Sequence, residues 1–149
     1  MSFYYHFQDL YDLTEWILIE DAKKALNEKK DYAHWKEGLE NIFEAVYENK
    51  PFILNVYHDI SKDQIEKVLF KLVHGLIESI VEERSIETNL NEQQKNFIAY
   101  FYKYGFVGIM LDWIEKGMDE NYNEIVDDLE KTVHGTIDLS IKNFTNNKK

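Results

Sequence analysis

Apolar residues recur with a helical period along nearly the whole chain, and the clearest stretch is 62–83. Ser61 and Gln64 lie at its start as an S-x-x-Q pattern, which predicts a capping box, and Asn91 with Gln94 marks the start of a later helix in the same way. The pattern predicts a long amphipathic helix with one buried face. Nine apolar residues form its stripe: Ile65, Val68, Leu69, Leu72, Val73, Leu76, Ile77, Ile80 and Val81.

Further helices are predicted on both sides of this segment. Gly105 and Gly108 are expected to bend the helix over 92–117, and Gly117 is expected to end it as a C-cap glycine. The stretch "FILNVYHD" suits either a short helix or a strand, and the helical surroundings favour a helix. The sequence therefore predicts an all-α bundle of about six helices around one core. The other predicted helices run from Asp9 or Leu10 to Asn27, over 32–48 and over 121–143.

Composition and charge narrow the classes of function. The chain has one proline, six glycines and no cysteine, which argues against a turn-rich β fold and excludes disulfides and thiolate sites. Its 28 acidic and 17 basic residues give a net charge of −11, which is unfavourable for binding nucleic acid. No apolar run approaches the roughly 20 residues that span a bilayer, and the start does not resemble a signal peptide. We expect a cytoplasmic protein that does not contact membranes.

The sequence nominates no catalytic residue. The five histidines are not arranged as a metal-binding motif, and the serines and glycines form no nucleophile elbow, P-loop or dinucleotide pattern. His74 lies among apolar residues, where it is either a buried, hydrogen-bonded imidazole or a polar anchor in a pocket. We therefore expect no enzymatic activity, no metal and no cofactor.

The first residues are unusually aromatic. The stretch "SFYYHF", followed by Leu13, resembles the T-[FL]-Y-x-H-F-x-x-K-x-x-L signature of the TetR family of transcriptional regulators, in which a recognition helix leads into a connecting helix. The resemblance implies that residues 1–9 are the remnant of a helix-turn-helix module, and that 10–149 form a regulatory and dimerisation domain. It also implies that Tyr4 and His6 contact DNA phosphates in a full-length parent. This chain, with Leu10 at the usual lysine position, is not expected to bind DNA.

The C-terminal half extends the resemblance. "FIAYFYKYGFVGIMLDWIEKGM" followed by "EIVDDLEKTV" is similar to the C-terminal domain of Firmicutes members of the family, including activators of dihydroxyacetone kinase operons. The resemblance implies a homodimer in which the last two helices of each copy form a four-helix bundle. The interface candidates are Tyr104, Phe106, Trp113, Tyr122, Val133 and Ile137.

A regulatory domain also needs an effector, either a small molecule or a partner protein. Six residues are expected to face the inside of the bundle and to line an effector pocket, although each of them also suits core packing. They are Trp16, Phe43, Tyr57, His74, Phe101 and Met110. A small helical adaptor with no role at DNA is the alternative function.

Overall fold

The helices follow one another with short connections in the computed structural model, which describes residues 10–28 and 30–145. Among these residues there is no strand, and the predicted all-α class is confirmed. A π-helical turn, Val56–Ile60, joins the third and fourth helices, so "FILNVYHD" is helical as expected. The described residues form seven α-helices: α1 (Leu10–Glu28), α2 (Trp35–Glu48), α3 (Lys50–Asn55), α4 (Lys62–Arg84), α5 (Glu92–Glu115), α6 (Tyr122–Val133) and α7 (Thr136–Thr145).

Helix α4 is the centre of the bundle and packs against α1, α2 and α5. All nine residues of its predicted stripe are buried, because the apolar residues fall on one side of the helix at every turn. Phe43 on α2 and Met110 on α5 are among the fully buried side chains that meet them. Helix α6 packs chiefly against α2, so α5 and α6 diverge from each other.

The two predicted capping boxes have different outcomes. Before α5, the Asn91 side chain accepts from the Gln94 amide at 2.8 Å and Gln94 accepts from the Asn91 amide at 3.0 Å, as predicted. Before α4, Ser61 is the N-cap residue but makes no side-chain capping bond, so that predicted box is wrong. The Ser61 amide already donates to the Val56 carbonyl at 2.7 Å, closing the π-helical turn, and is not available to Gln64.

Gly117 ends α5 as predicted. Its φ of 81° lies in the left-handed region that glycine tolerates. The Gly117 amide donates to the Ile114 carbonyl at 2.9 Å, and the Met118 amide donates to the Trp113 carbonyl at 2.8 Å. This is a Schellman motif, which satisfies the last carbonyls of the helix and turns the chain towards α6. Upstream of it, α5 continues without a break through both of its glycines.

The single helix predicted over 121–143 is two helices. Gly135, with a φ of 77°, separates α6 from α7, and the Thr136 hydroxyl donates to the Val133 carbonyl at 2.7 Å. The apolar spacing of four residues continues across the break, from Leu129 through Val133 to Ile137, so the pattern alone did not reveal it. Because of the break, α7 returns to the bundle and contacts α4 and α5.

A bidentate ion pair holds α7 to α4. Nε of Arg84 lies 2.9 Å from Oδ1 of Asp138, and Nη2 lies 2.5 Å from Oδ2. The guanidinium also lies 4.0 Å from the centroid of the Tyr32 ring. The hydrogen bond from Arg84 lowers the pKa of Asp138 below its usual range.

We expect Asp138→Asn to lower the free energy of unfolding at pH 7 by less than about 1 kcal/mol, since both side chains are partly in solvent. A depressed carboxylate pKa stabilises the fold above the pKa of the unfolded state, and this stability is lost as the pH falls. The difference in unfolding free energy between wild type and variant should therefore start to shrink below about pH 4 and continue to shrink as the pH falls further. Urea unfolding at pH 7 and pH 3 measures it, with Glu87→Gln as the control. A gap of the same size at pH 3 would contradict this assignment.

Candidate functional site

One side of α5 is exposed although it carries large apolar side chains. Phe97, Phe101 and Tyr104 leave 65%, 68% and 61% of their surface exposed, and Tyr100 and Ile109 are exposed as well. The opposite side of the helix is buried in the core. A contiguous apolar patch on a small protein usually marks a binding surface. We call Phe97, Tyr100, Phe101, Tyr104 and Ile109 the aromatic face.

The aromatic face forms one wall of a groove of about 1040 Å³ between α5 and α6. Ile125, Leu129 and Val133 on α6 line the opposite wall, and the lining is mainly apolar. The groove exists because α6 packs on α2 and diverges from α5. Its shape and lining suit an apolar occupant, either a helix or a ligand.

Charged side chains lie among the residues that line the groove, and acids predominate. Asp112, Glu120 and Asp128 contribute carboxylates, and Lys116 contributes an ammonium 3.0 Å from Asp112. In a chain of net charge −11, this arrangement favours an apolar or cationic occupant and disfavours an anionic one such as DNA.

Lys103 supports the rings at the α4 side of the aromatic face. Its Nζ lies 4.2 Å from the centroid of Tyr100, 5.4 Å from that of Tyr104 and 5.8 Å from that of Phe70 on α4. Burial lowers the pKa of this amine, and the ring faces offset part of that cost by attracting the ammonium. The lysine therefore stabilises the positions in which Tyr100 and Tyr104 face outward.

A cluster of four rings sets the position of α6. The Phe43 centroid lies 5.1 Å from that of Trp113 and 6.3 Å from that of Tyr122, and Tyr47 lies 5.8 Å from Tyr122. Nε1 of Trp113 donates to the Glu120 carbonyl at 2.8 Å. These contacts fix the start of α6 against α2 and α5, and so they determine the width of the groove.

Three of the six effector-pocket candidates are packed inside the core: Phe43, Tyr57 and Met110. His74 is half-buried, with Nε2 3.6 Å from a carboxylate oxygen of Glu78. Nδ1 of His74 is buried and has no hydrogen-bond partner among the described residues. None of these four candidates lines the groove.

The expectation that Trp16 and Phe101 face inward is wrong. Trp16 is 54% exposed because the inner side of α1 is taken by Thr14 and Leu18, two residues before and after it. Phe101 is exposed because its neighbour Tyr102 takes the inward position on α5. Phe101 nevertheless lines the groove.

The six dimer-interface candidates divide into two groups. Tyr104 lies on the aromatic face, and Tyr122 and Val133 are half-buried, with Val133 lining the groove. The other three have little surface left to offer a second copy, because their helical positions turn them inward. They are Phe106, Trp113 and Ile137, all buried in the core of the chain itself.

Four exposed residues of α5 were missed by sequence reasoning: Phe97, Gly105, Gly108 and Ile109. The glycines were interpreted as bends, whereas both lie in a continuous helix with open space where a Cβ would be. Their helical spacing from Phe101 was the available signal, since it places them on the same side. The predicted phosphate contacts, Tyr4 and His6, lie outside the described residues.

The described part of the chain has neither a metal-binding cluster nor a membrane-spanning helix. No group of three or more His, Asp or Glu side chains there is arranged to hold a metal ion. None of the helices of residues 10–28 and 30–145 has the length and apolar character needed to cross a bilayer.

The fold and the groove define a class: an all-helical domain with an exposed apolar groove between two of its C-terminal helices. The family described as the transcriptional regulator C-terminal region, of TetR type, matches residues 33–135. The chain belongs to this family of TetR-type regulators, whose members typically act as dimers.

A curated relative agrees with this assignment. It is the HTH-type dhaKLM operon transcriptional activator DhaS of Lactococcus lactis subsp. lactis (strain IL1403). The two are 22% identical over 129 residues, which cover 84% of this chain and 68% of the relative. No solved structure matches the chain significantly.

Proposed function

We propose that this chain is the dimerisation and regulatory domain of a TetR-family transcriptional regulator, and that α5 and α6 pair with those of a second copy. The observation that supports the proposal is the aromatic face, whose rings are exposed in the single chain. Helices α5 and α6 of two copies would form a four-helix bundle, as the family resemblance implies.

A second copy fits this surface for physical reasons. A two-fold interface uses the same patch on both subunits, so an apolar patch meets an apolar patch and both are removed from water. The charged side chains near the groove remain at the edge, where solvent screens their repulsion. The typical dimeric state of the family agrees with this arrangement.

Sedimentation velocity at micromolar concentration tests the proposal. We expect a particle with twice the 17.9 kDa mass of the chain, and we expect the dimer to persist at high salt because its interface is mainly apolar. A monomer throughout the micromolar range would refute the dimerisation proposal.

The regulatory role involves α1. In our proposal residues 1–9 belong to a helix-turn-helix module, Tyr4 and His6 contact phosphates in the whole protein, and α1 is the connecting helix. Helix α1 packs on α2 and α4, and Glu15 forms an ion pair with Lys71 of α4. An effector that binds one arrangement of α4 better than another would therefore bias the position of α1.

Binding of an effector in the groove is a second candidate function. The groove's volume of about 1040 Å³ and its mainly apolar lining with a few charged groups are typical of ligand sites. The effector is a small apolar molecule or a partner protein. A ligand that enters the groove would compete with, or stabilise, the dimer, and sedimentation with and without the compound distinguishes the two.

The remaining parts of the proposal follow from family membership. A regulator of transcription acts in the cytoplasm and needs neither a catalytic residue nor a cofactor. The alternative is a helical adaptor without a role at DNA. Such an adaptor would also form the dimer, but its α1 would not act as a connecting helix. Regulation of a reporter by the protein that contains this domain, and its loss on deletion of α1, would favour the regulator.

A further inference from the structure

The exposed side of α5 carries two matched pairs of residues, one of two glycines and one of two large apolar side chains. Counted outward from the point midway between residues 106 and 107, Gly108 is at the same distance as Gly105, and Ile109 at the same distance as Tyr104. All four residues are exposed. This pattern suits two identical antiparallel helices related by a two-fold axis, because each residue before the axis faces the residue equally far after it.

We infer that α5 crosses α5 of the second copy in antiparallel orientation, with the two-fold axis between Gly105 and Gly108; this inference rests on the dimer proposed above. Both glycines have open space at the position of a Cβ. Glycines at a helix crossing let the two backbones approach more closely than the usual 8–10 Å between axes. In this arrangement Tyr104 of each copy packs against Ile109 of the other copy, on either side of the crossing.

The outer residues of the face support the same orientation. The crossing places Phe101 opposite Asp112 of the second copy, and Phe97 opposite Lys116, and all four positions are exposed. The Lys116 ammonium then meets an aromatic ring, which is a favourable contact. A parallel pairing would instead place Asp112 against Asp112 and Lys116 against Lys116, and like charges would repel.

Cysteine cross-linking tests this register cleanly, because the chain contains no cysteine. Four single variants suffice: Phe101→Cys, Tyr104→Cys, Ile109→Cys and Asp112→Cys, with one partner in each mixture carrying a longer tag. After subunit exchange, the variants at positions 101 and 112 are mixed, as are those at 104 and 109. These two mixtures should form disulfides at least tenfold faster than the swapped mixtures, which combine 101 with 109 and 104 with 112. The same four proteins serve as their own controls.

Each outcome has a defined meaning. Faster linkage in the swapped mixtures, equal rates in all four, or fastest linkage of each variant to itself would overturn the antiparallel register. These results leave the proposed function standing if wild type sediments as a dimer, whereas a monomeric wild type refutes the proposed function first. Sedimentation of each variant checks that it dimerises at the concentration used.

The glycines give a second readout that does not depend on cysteine. Gly105→Ala and Gly108→Ala should each raise the dimer dissociation constant at least tenfold, although alanine favours the helix itself. Gly75→Ala is the matched control, because Gly75 is an exposed glycine within α4 and also has open space at its Cβ position. Equal dissociation constants for all three variants and wild type would remove the glycines from the crossing.

Discussion

Phe101→Glu should convert the dimer to a monomer, raising its dissociation constant at least about 100-fold, since burying an unpaired carboxylate costs several kcal/mol. The ring is 68% exposed in the single chain, so the variant should fold normally. In the dimer, each introduced carboxylate would lie in an apolar interface and opposite Asp112. Sedimentation velocity over a range of concentrations measures the change.

Two other variants make this result specific. Ile86→Glu changes a side chain that is 67% exposed in the turn after α4, away from the groove, and should leave the dimer intact. Phe101→Lys should weaken the dimer less than Phe101→Glu, because lysine faces the carboxylates of Asp112 and its neighbours. Equal dissociation constants for Phe101→Glu and wild type would show that the aromatic face is not the interface.

The sequence predicted most of the helices well from their apolar period. The stripe on α4 and the capping box before α5 depend on neighbouring residues along the chain, so they were visible in the sequence. The break at Gly135 was hidden because the apolar spacing continues through it. The box before α4 failed because the Ser61 amide is used by a π-helical turn that no local pattern indicates.

The candidate site was predicted less well than the fold, and the reason is geometric. Aromatic side chains suit a core and an interface equally, so residue type did not separate Phe101, which faces outward, from Phe106, which is buried. That choice depends on where α4 and α6 lie around α5, which is a matter of tertiary packing. The groove likewise results from the divergence of α5 and α6, and sequence periodicity does not report on the distance between helices.

The second large expected effect is on the stability of the fold, and it concerns the four-ring cluster behind the groove. Phe43→Ala should lower the free energy of unfolding by about 3–5 kcal/mol, because the fully buried ring leaves a cavity beside Trp113 and Tyr122. This is a large part of the roughly 5–15 kcal/mol that stabilises a typical domain. Urea unfolding, followed by near-ultraviolet circular dichroism of the aromatic rings, measures the loss.

Phe43→Leu separates the role of apolar volume from that of the ring. It should cost about 1.5 kcal/mol or less, since most of the apolar volume is kept, but it removes the ring contacts that hold Tyr122 and hence the start of α6. Because α6 forms one wall of the groove, the leucine variant should remain folded and yet dimerise more weakly than wild type. Phe97→Ala is the complementary control, because Phe97 is exposed in the single chain. Its monomer should unfold at the same urea concentration as the wild-type monomer, whereas its dimer dissociation constant should rise. If Phe43→Leu folded and dimerised as wild type does, the cluster would not determine the width of the groove.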